Sequence, residues 1–199
     1  MESGRTLGLD KRLFVAITGA SGAVYAKRLL EAISDSYDRI YVTASDNSFS
    51  IIRDELEIVE LDDLIPEGQG SKFMLLDSNE MSAPPASGSH QYDGMVVIPC
   101  SMGTAGRIAA GISSDLVTRA ADVCLKERRK LILVARETPL SLIHLENLTA
   151  LAKAGASILP AAPAFYHKPE KVEDLVDFVV DRVLQHLELD VRLMDGWKE

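Results

Sequence analysis

Cysteine is scarce: Cys100 and Cys124 are the two thiols in a chain of 199 residues. Two thiols cannot build the disulfide framework of a stapled secreted domain, and no Cys-x-x-Cys or Cys-x-x-x-His spacing offers a zinc site. Positive charge is also short, since 21 Lys and Arg face 30 Asp and Glu for a formal charge of −9 and a pI near 5.0. That balance excludes a broad basic face for DNA, RNA or anionic lipid. It leaves room for a small anionic ligand, because a few arginines and backbone N–H groups suffice for one phosphate. No apolar run is long enough to cross a bilayer, and the polar, glycine-bearing stretch Met1–Asp10 lacks the apolar core of a signal peptide. The expectation is a cytoplasmic protein with neither a nucleic-acid nor a membrane partner. Repeats, low-complexity blocks and dividing linkers are missing too, so the chain reads as a flexible N-terminal segment over residues 1–11 and a single domain over 12–199.

Hydrophobic residues make up 47% of the chain, and their spacing is informative. Short β-branched runs at Leu13–Ile17, Ile40–Thr43, Met95–Ile98, Leu131–Val134 and Ser157–Leu159, with a weaker one at Lys72–Leu76, predict strands. Helical periods lie between them, at about Ala23–Ile33, Asn47–Glu55, Gly103–Ala110, Leu116–Lys126, Leu142–Lys153 and Val172–Leu187. Strands that are apolar throughout and alternate with helices need cover on both faces. The predicted fold is therefore α/β: Rossmann-like and doubly wound, with a mainly parallel sheet and helices on both sides. In the last helix Val172, Leu175, Val176, Val179, Val180, Val183, Leu184 and Leu187 form one stripe, and Glu173, Asp174, Asp177 and Asp181 face away. Arg182 falls at the stripe's edge, where an arginine usually snorkels or pairs.

Ligands of such sheets bind beyond the carboxyl ends of the strands. The residues there are Thr18–Gly22, Ala44–Asp46, Cys100–Thr104, Arg136–Thr138 and Pro160–Tyr166, a set of small residues and hydroxyls with one Arg–Glu pair. This suits a phosphate-bearing ligand. The glycines of Thr18–Gly22 let backbone approach a ligand, and Ser21 can cap the helix or donate to a phosphate. A dinucleotide fingerprint needs a third glycine where Tyr25 and Ala26 stand, and no Tyr-x-x-x-Lys pair is present, which disfavours nicotinamide. Ser101 is a predicted N-cap, with the N–H groups after it available either to an anion or to plain capping. Cys100 reads as a buried strand end with no local histidine to activate it, and His144 and His167 as surface or packing residues. Arg136–Glu137, at the end of a buried strand, is either a structural ion pair or a site pair. Lys126, Arg128 and Arg129 complement a helix dipole, and Arg119 lies within that helix.

Several longer motifs occur in order: Thr18-Gly19-Ala20-Ser21-Gly22-Ala23, Ala83-Pro84-Pro85-Ala86-Ser87-Gly88-Ser89, Arg119-Ala120-Ala121-Asp122 and Leu125-Lys126-Glu127-Arg128-Arg129. His144-Leu145-Glu146-Asn147, Pro160-Ala161-Ala162-Pro163-Ala164-Phe165-Tyr166-His167 and Val172-Glu173-Asp174-Leu175-Val176-Asp177-Phe178 follow. From Lys11 onward the chain resembles the UbiX (UbiX/Pad-type) flavin prenyltransferases. The resemblance implies a flavin-binding Rossmann-like domain and a transferase. Such enzymes join a dimethylallyl group from dimethylallyl monophosphate to N5 and C6 of reduced FMN without a metal. The product, prenylated FMN, serves UbiD-type decarboxylases, with ubiquinone synthesis and aromatic-acid degradation both open as pathways. By similarity Gly19, Ala20, Ser21, Ser45, Ser101, Met102, Gly103, Thr104 and Arg136 contact FMN. Tyr166, Arg182, Lys126 and Arg119 fall where the family holds the allylic phosphate, and Glu137, Lys126, Ser21 and Glu55 fall at catalytic positions. Family members form homo-oligomers, dodecamers in known cases, with sites at subunit interfaces, so Lys126 is expected to meet substrate across one. Trp197 or Phe165 offers an aromatic face to an allylic cation.

One departure stands out. Met81-Ser82 precedes the Ala-Pro-Pro-Ala-Ser-Gly-Ser motif where the family often has tryptophan, replacing a π face with a flexible thioether, a change of tuning and not of reaction class. Two other readings compete. A flavin-dependent cysteine decarboxylase would carry an Asn-bearing Pro-Ala-Ser-Ala-Asn-Thr stretch and a Met-Asn clamp, where this chain has Pro85-Ala86-Ser87-Gly88-Ser89 and Ala162-Pro163-Ala164-Phe165-Tyr166. A non-catalytic FMN-binding accessory subunit would have no need of Lys126, Glu137, Tyr166 and Arg182.

Overall fold

The computed structural model describes residues 10–196. The expected N-terminal segment lies outside the described residues over 1–9, as does Trp197. Six strands form one sheet: β1 (Arg12–Ile17), β2 (Arg39–Ala44), β3 (Phe73–Leu76), β4 (Gly94–Cys100), β5 (Lys130–Ala135) and β6 (Ser157–Pro160). Their order is β3-β2-β1-β4-β5-β6, and every pairing is parallel. This is the Rossmann order, with its reversal between β1 and β4. Six helices connect the strands: α1 (Ala23–Ile33), α2 (Asp46–Leu56), α3 (Met102–Ala109), α4 (Leu116–Lys126), α5 (Leu142–Lys153) and α6 (Val172–His186).

Alternation along β1 shows how the two layers arise. Leu13, Val15 and Ile17 enter the core shared with α1, α2 and α6, while Phe14 and Ala16 enter the one shared with α3, α4 and α5. A central strand apolar at every position is thus buried twice, each large side chain contributing about 1.5–3 kcal/mol. Arg28 of α1 reaches Asp177 of α6 at 2.5 Å, tying the two helices together on their common face.

Two details of the sequence pattern are corrected. β4 continues through Pro99 to Cys100, with a register shift between Val97 and Cys100 where proline has no N–H for the ladder. In α6, Val172 is 68% exposed and Asp181 only 6%, the reverse of the predicted stripe. The first turn of α6 leaves Val172 in solvent, whereas Asp181 accepts hydrogen bonds from Leu193 N at 3.0 Å and Gln185 Nε2 at 2.7 Å as the C-terminal segment folds back over it.

Candidate functional site

The crevice lies where β1 and β4 part company. Thr18, buried just past β1, donates to Pro99 O at 2.8 Å and accepts from Ser101 N at 2.9 Å, locking the two strand ends together. Gly22 has φ +113°, a left-handed turn that feeds the chain into α1. At Gly19 a Cβ would stand 2.9 Å from Asn47 Cβ, so only glycine lets this loop lie against α2. Ser101 caps α3 as predicted, accepting from Thr104 N at 3.2 Å and donating to Thr104 Oγ1 at 3.0 Å. The first-turn N–H groups of α3 therefore face the crevice with the positive end of the helix dipole behind them. In front of Gly103 nothing lies within 4 Å of where a Cβ would be.

Gly19, Asn47, Ser101, Gly103 and Thr104 line a cavity of about 390 Å³ that also takes in Ser45, Asp46, Ser78, Asn79, Arg107 and Asp115. Its size fits a small-molecule site, and its walls carry hydroxyls, amides and N–H groups suited to a phosphate and a polyol. Asn47, Ser78, Asn79, Arg107 and Asp115 are absent from the sequence-based set of strand-end residues, which does include Asp46. Ser78 and Asn79 obey the same strand-end rule after β3, but that strand is too weak in the sequence to draw attention to its end. Arg107 lies one turn beyond Thr104 on α3, and Asp115 starts α4 through a reciprocal cap with Thr118.

The remaining predicted residues divide by position. Ala20 and Met102 are buried beside the crevice. Glu55 sits at its edge, its carboxylate accepting from Gly22 N at 2.9 Å and Ala23 N at 2.8 Å. Glu55, not Ser21, thus caps α1, and Ser21 stays exposed beside it. Arg136 and Glu137 emerge from β5 into solvent, and no ion pair joins them among the described residues, so the structural-pair reading fails. Arg136 instead lies near Tyr25, whose phenol burial pushes up and Arg136 pulls partly back.

Tyr166 stands on the loop after β6 with its ring edge-on to Phe178, 6.0 Å between centroids. His167 stacks flat on the same Phe178, both ring nitrogens buried without a hydrogen-bond partner, in keeping with a packing role. Phe165 and Met81 are exposed. Of the predicted residues, Gly19, Ser45, Ser101, Gly103 and Thr104 line the cavity, and three others are turned to partners elsewhere. Arg119 donates to Ala86 O at 3.0 Å and to Asp122 at 2.9 Å. Lys126 pairs with Glu127 at the end of α4, and Arg182 with Gln185 on the outer side of α6. Each of the last two lies ten residues past its helix start, about 15 Å toward the opposite edge of the sheet. Arg129, expected to complement a dipole, folds over the Tyr92 ring at 4.4 Å and donates to Gly88 O at 2.6 Å. Cys100 is a fully buried strand end, as the sequence suggests, and burial pushes its thiol up to about 12. Among the described residues no group of three His, Cys, Asp or Glu is placed to hold a metal ion, and no helix is long and apolar enough to cross a membrane.

The flavoprotein family profile matches residues 3–184. The flavin prenyltransferase UbiX of Halalkalibacterium halodurans is 44% identical over 192 residues, 93% of this chain and 92% of that protein. The chain belongs to the UbiX flavin prenyltransferase family. Among solved structures, AnUbiX (PadA1) in complex with FMN and dimethylallyl pyrophosphate matches with a TM-score of 0.85 at 40% identity, covering 94% of this chain and 99% of that one. A dodecameric FMN-dependent UbiX-like decarboxylase from Escherichia coli O157:H7 matches at 0.82 and 41% identity, covering 94% and 100%. The FMN-dependent cysteine decarboxylase TvaF matches at 0.61 with 17% identity over 91% of this chain and 99% of that one, a likeness of fold alone. Family membership therefore favours the prenyltransferase reading over both rivals.

Proposed function

We propose that this protein is a flavin prenyltransferase that joins the dimethylallyl group of dimethylallyl monophosphate to N5 and C6 of reduced FMN. The observation that carries the reading is the polar crevice at the β1/β4 reversal, faced by the α3 N-terminus, in a chain 40% identical to a protein that binds FMN and an allylic diphosphate. Gly19, Ala20, Ser21, Ser45, Arg136 and the segment Ser101–Thr104 form the flavin subsite, with the N–H groups of α3 directed at its phosphate. The allylic C–O bond breaks with its electron pair leaving on phosphate, and N5 supplies the pair for the new C–N bond while giving up its own proton. Closure at C6 then takes one proton onto the allyl carbon chain and releases one from C6.

Arg182, Lys126 and the Tyr166 hydroxyl neutralise the departing phosphate, with Arg119 close to it. Glu137 delivers a proton to the leaving oxygen, and Ser21 and Glu55 hold the flavin edge where N5 reacts. Because Lys126 and Arg182 lie about 15 Å down their helices, a neighbouring copy supplies them, and the working form is a homo-oligomer, a dodecamer by analogy. The apolar face that such packing needs is present: Leu142 and Ile143 of α5 are 70% and 67% exposed. The product passes to a UbiD-type decarboxylase in the cytoplasm, and each copy contributes a single domain over residues 12–199 to the shared sites.

The test is to supply protein, reduced FMN and dimethylallyl monophosphate to an apo UbiD-type decarboxylase. Decarboxylation is expected with all three, and with Glu137→Gln or Arg182→Ala a loss of at least about a hundredfold while FMN stays bound, as for a missing acid or a missing phosphate ligand. Activation by FMN without the allyl donor would overturn the proposal in favour of an accessory flavin carrier.

A further inference from the structure

The crevice wall poses an electrostatic problem. Two of its lining residues, Asp46 and Asp115, are carboxylates, and a flavin phosphate brought to the α3 N-terminus adds up to two more negative charges. Neutral hydroxyls and N–H groups orient such a ligand but carry no full positive charge. Among the lining residues one side chain is cationic: Arg107.

Its guanidinium is held from one side. Nη1 donates to Asp115 Oδ2 at 2.5 Å and to Ser114 Oγ at 3.2 Å, and Nη2 donates to Thr104 Oγ1 at 3.3 Å. A guanidinium has five N–H donors, so these three leave two, one on Nη2 and the one on Nε. Thr104 is one turn before Arg107 on α3 and belongs to the first turn, whose N–H groups open on the crevice. The arginine is thereby fixed beside the same helix start that faces the ligand. Asp115 is fixed in turn, accepting from Thr118 N at 2.8 Å and from Thr118 Oγ1 at 2.7 Å as the cap of α4. Burial acts to raise its carboxyl, but the Thr118 and Arg107 hydrogen bonds outweigh this and hold it below the usual carboxylate range.

We infer that Arg107 binds the flavin phosphate and selects phosphorylated over unphosphorylated flavin, with Asp115 as its positioning residue. The inference rests on the flavin reading above and adds to it the residue that distinguishes FMN from riboflavin. A competing account makes Arg107–Asp115 only a clasp between α3 and α4, and the two accounts differ in one measurable ratio.

The experiment measures dissociation constants of FMN and riboflavin, by quenching of flavin fluorescence, for the parent, Arg107→Met, Arg107→Lys and Asp115→Asn. Loss of a charge-assisted contact to phosphate predicts about ten- to hundredfold weaker FMN binding in Arg107→Met, with riboflavin changed by less than about twofold. Arg107→Lys keeps the charge without the fork and falls between. Asp115→Asn preserves a capping side chain, so α4 stays intact while the preference for FMN over riboflavin falls. Equal weakening of both flavins, or none in either Arg107 variant, would overturn the assignment. Failure of the parent to bind either flavin would overturn the flavin reading itself, and this assignment with it.

Discussion

The hydroxyl of Thr18 joins β1 to β4 at the point where the ligand crevice opens, donating to Pro99 O and accepting from Ser101 N. Thr18→Val keeps the shape and leaves Pro99 O its bond from Thr18 N at 3.3 Å, but it strands the Ser101 N–H, at about 1–3 kcal/mol. Chemical denaturation of Thr18→Val is expected to show that loss, and Thr18→Ser to recover most of it. Nothing in the sequence marks Thr18 for this role, since a threonine after a strand is ordinary and its two partners are 81 and 83 residues away. Glycine and serine positions were more legible because their chemistry is local. Gly22 needs its own left-handed φ, and Ser101 caps α3 through the Thr104 N–H only three residues on. Asp181 misled the periodic reading for the opposite reason, as its partner Leu193 arrives from a segment without any period.

At the scale of elements, the spacing of apolar residues locates all six helices to within one or two residues, although α5 buries only Leu151 where the others bury a longer face. β3 was the weakest strand in the sequence, and the structure explains why: it is a four-residue edge strand with Met74 exposed, so its apolar pattern is broken. Overlooking its end cost the sequence reading Ser78 and Asn79. The contact between α3 and α4 is electrostatic at the crevice, through Arg107 and Asp115. The Asp115 carboxyl is depressed in the fold, so the stability it contributes is present above the unfolded carboxyl range and fades as pH falls through the lower folded value. A pH series of denaturation curves should therefore show a shallower acid-side loss in Asp115→Asn than in the parent. An identical slope in the two proteins would contradict the clasp.

On the scale of the whole molecule, the sheet separates the groups that the proposed reaction brings together. Strands carry their functional ends to one edge, and helices carry Lys126 and Arg182 toward the other. The sequence places both residues in family motifs, but their separation follows from helix direction and emerges only once the chain is folded. The exposed Leu142 and Ile143 on α5 are the packing counterpart, an apolar surface that a monomer has no reason to keep. The double variant Leu142→Glu with Ile143→Glu is expected to dissociate the oligomer in sedimentation velocity and to lose prenyl transfer with it. A monomer that transferred the prenyl group at the parent rate would contradict the shared site.

The reaction itself is tested most directly by mass. Purified protein is incubated anaerobically with reduced FMN and dimethylallyl monophosphate, and the released flavin is weighed by mass spectrometry. A flavin heavier by one five-carbon unit, formed only when the allyl donor is present, is the predicted result. An unmodified flavin, with FMN binding verified and the diphosphate donor also tried, would contradict it.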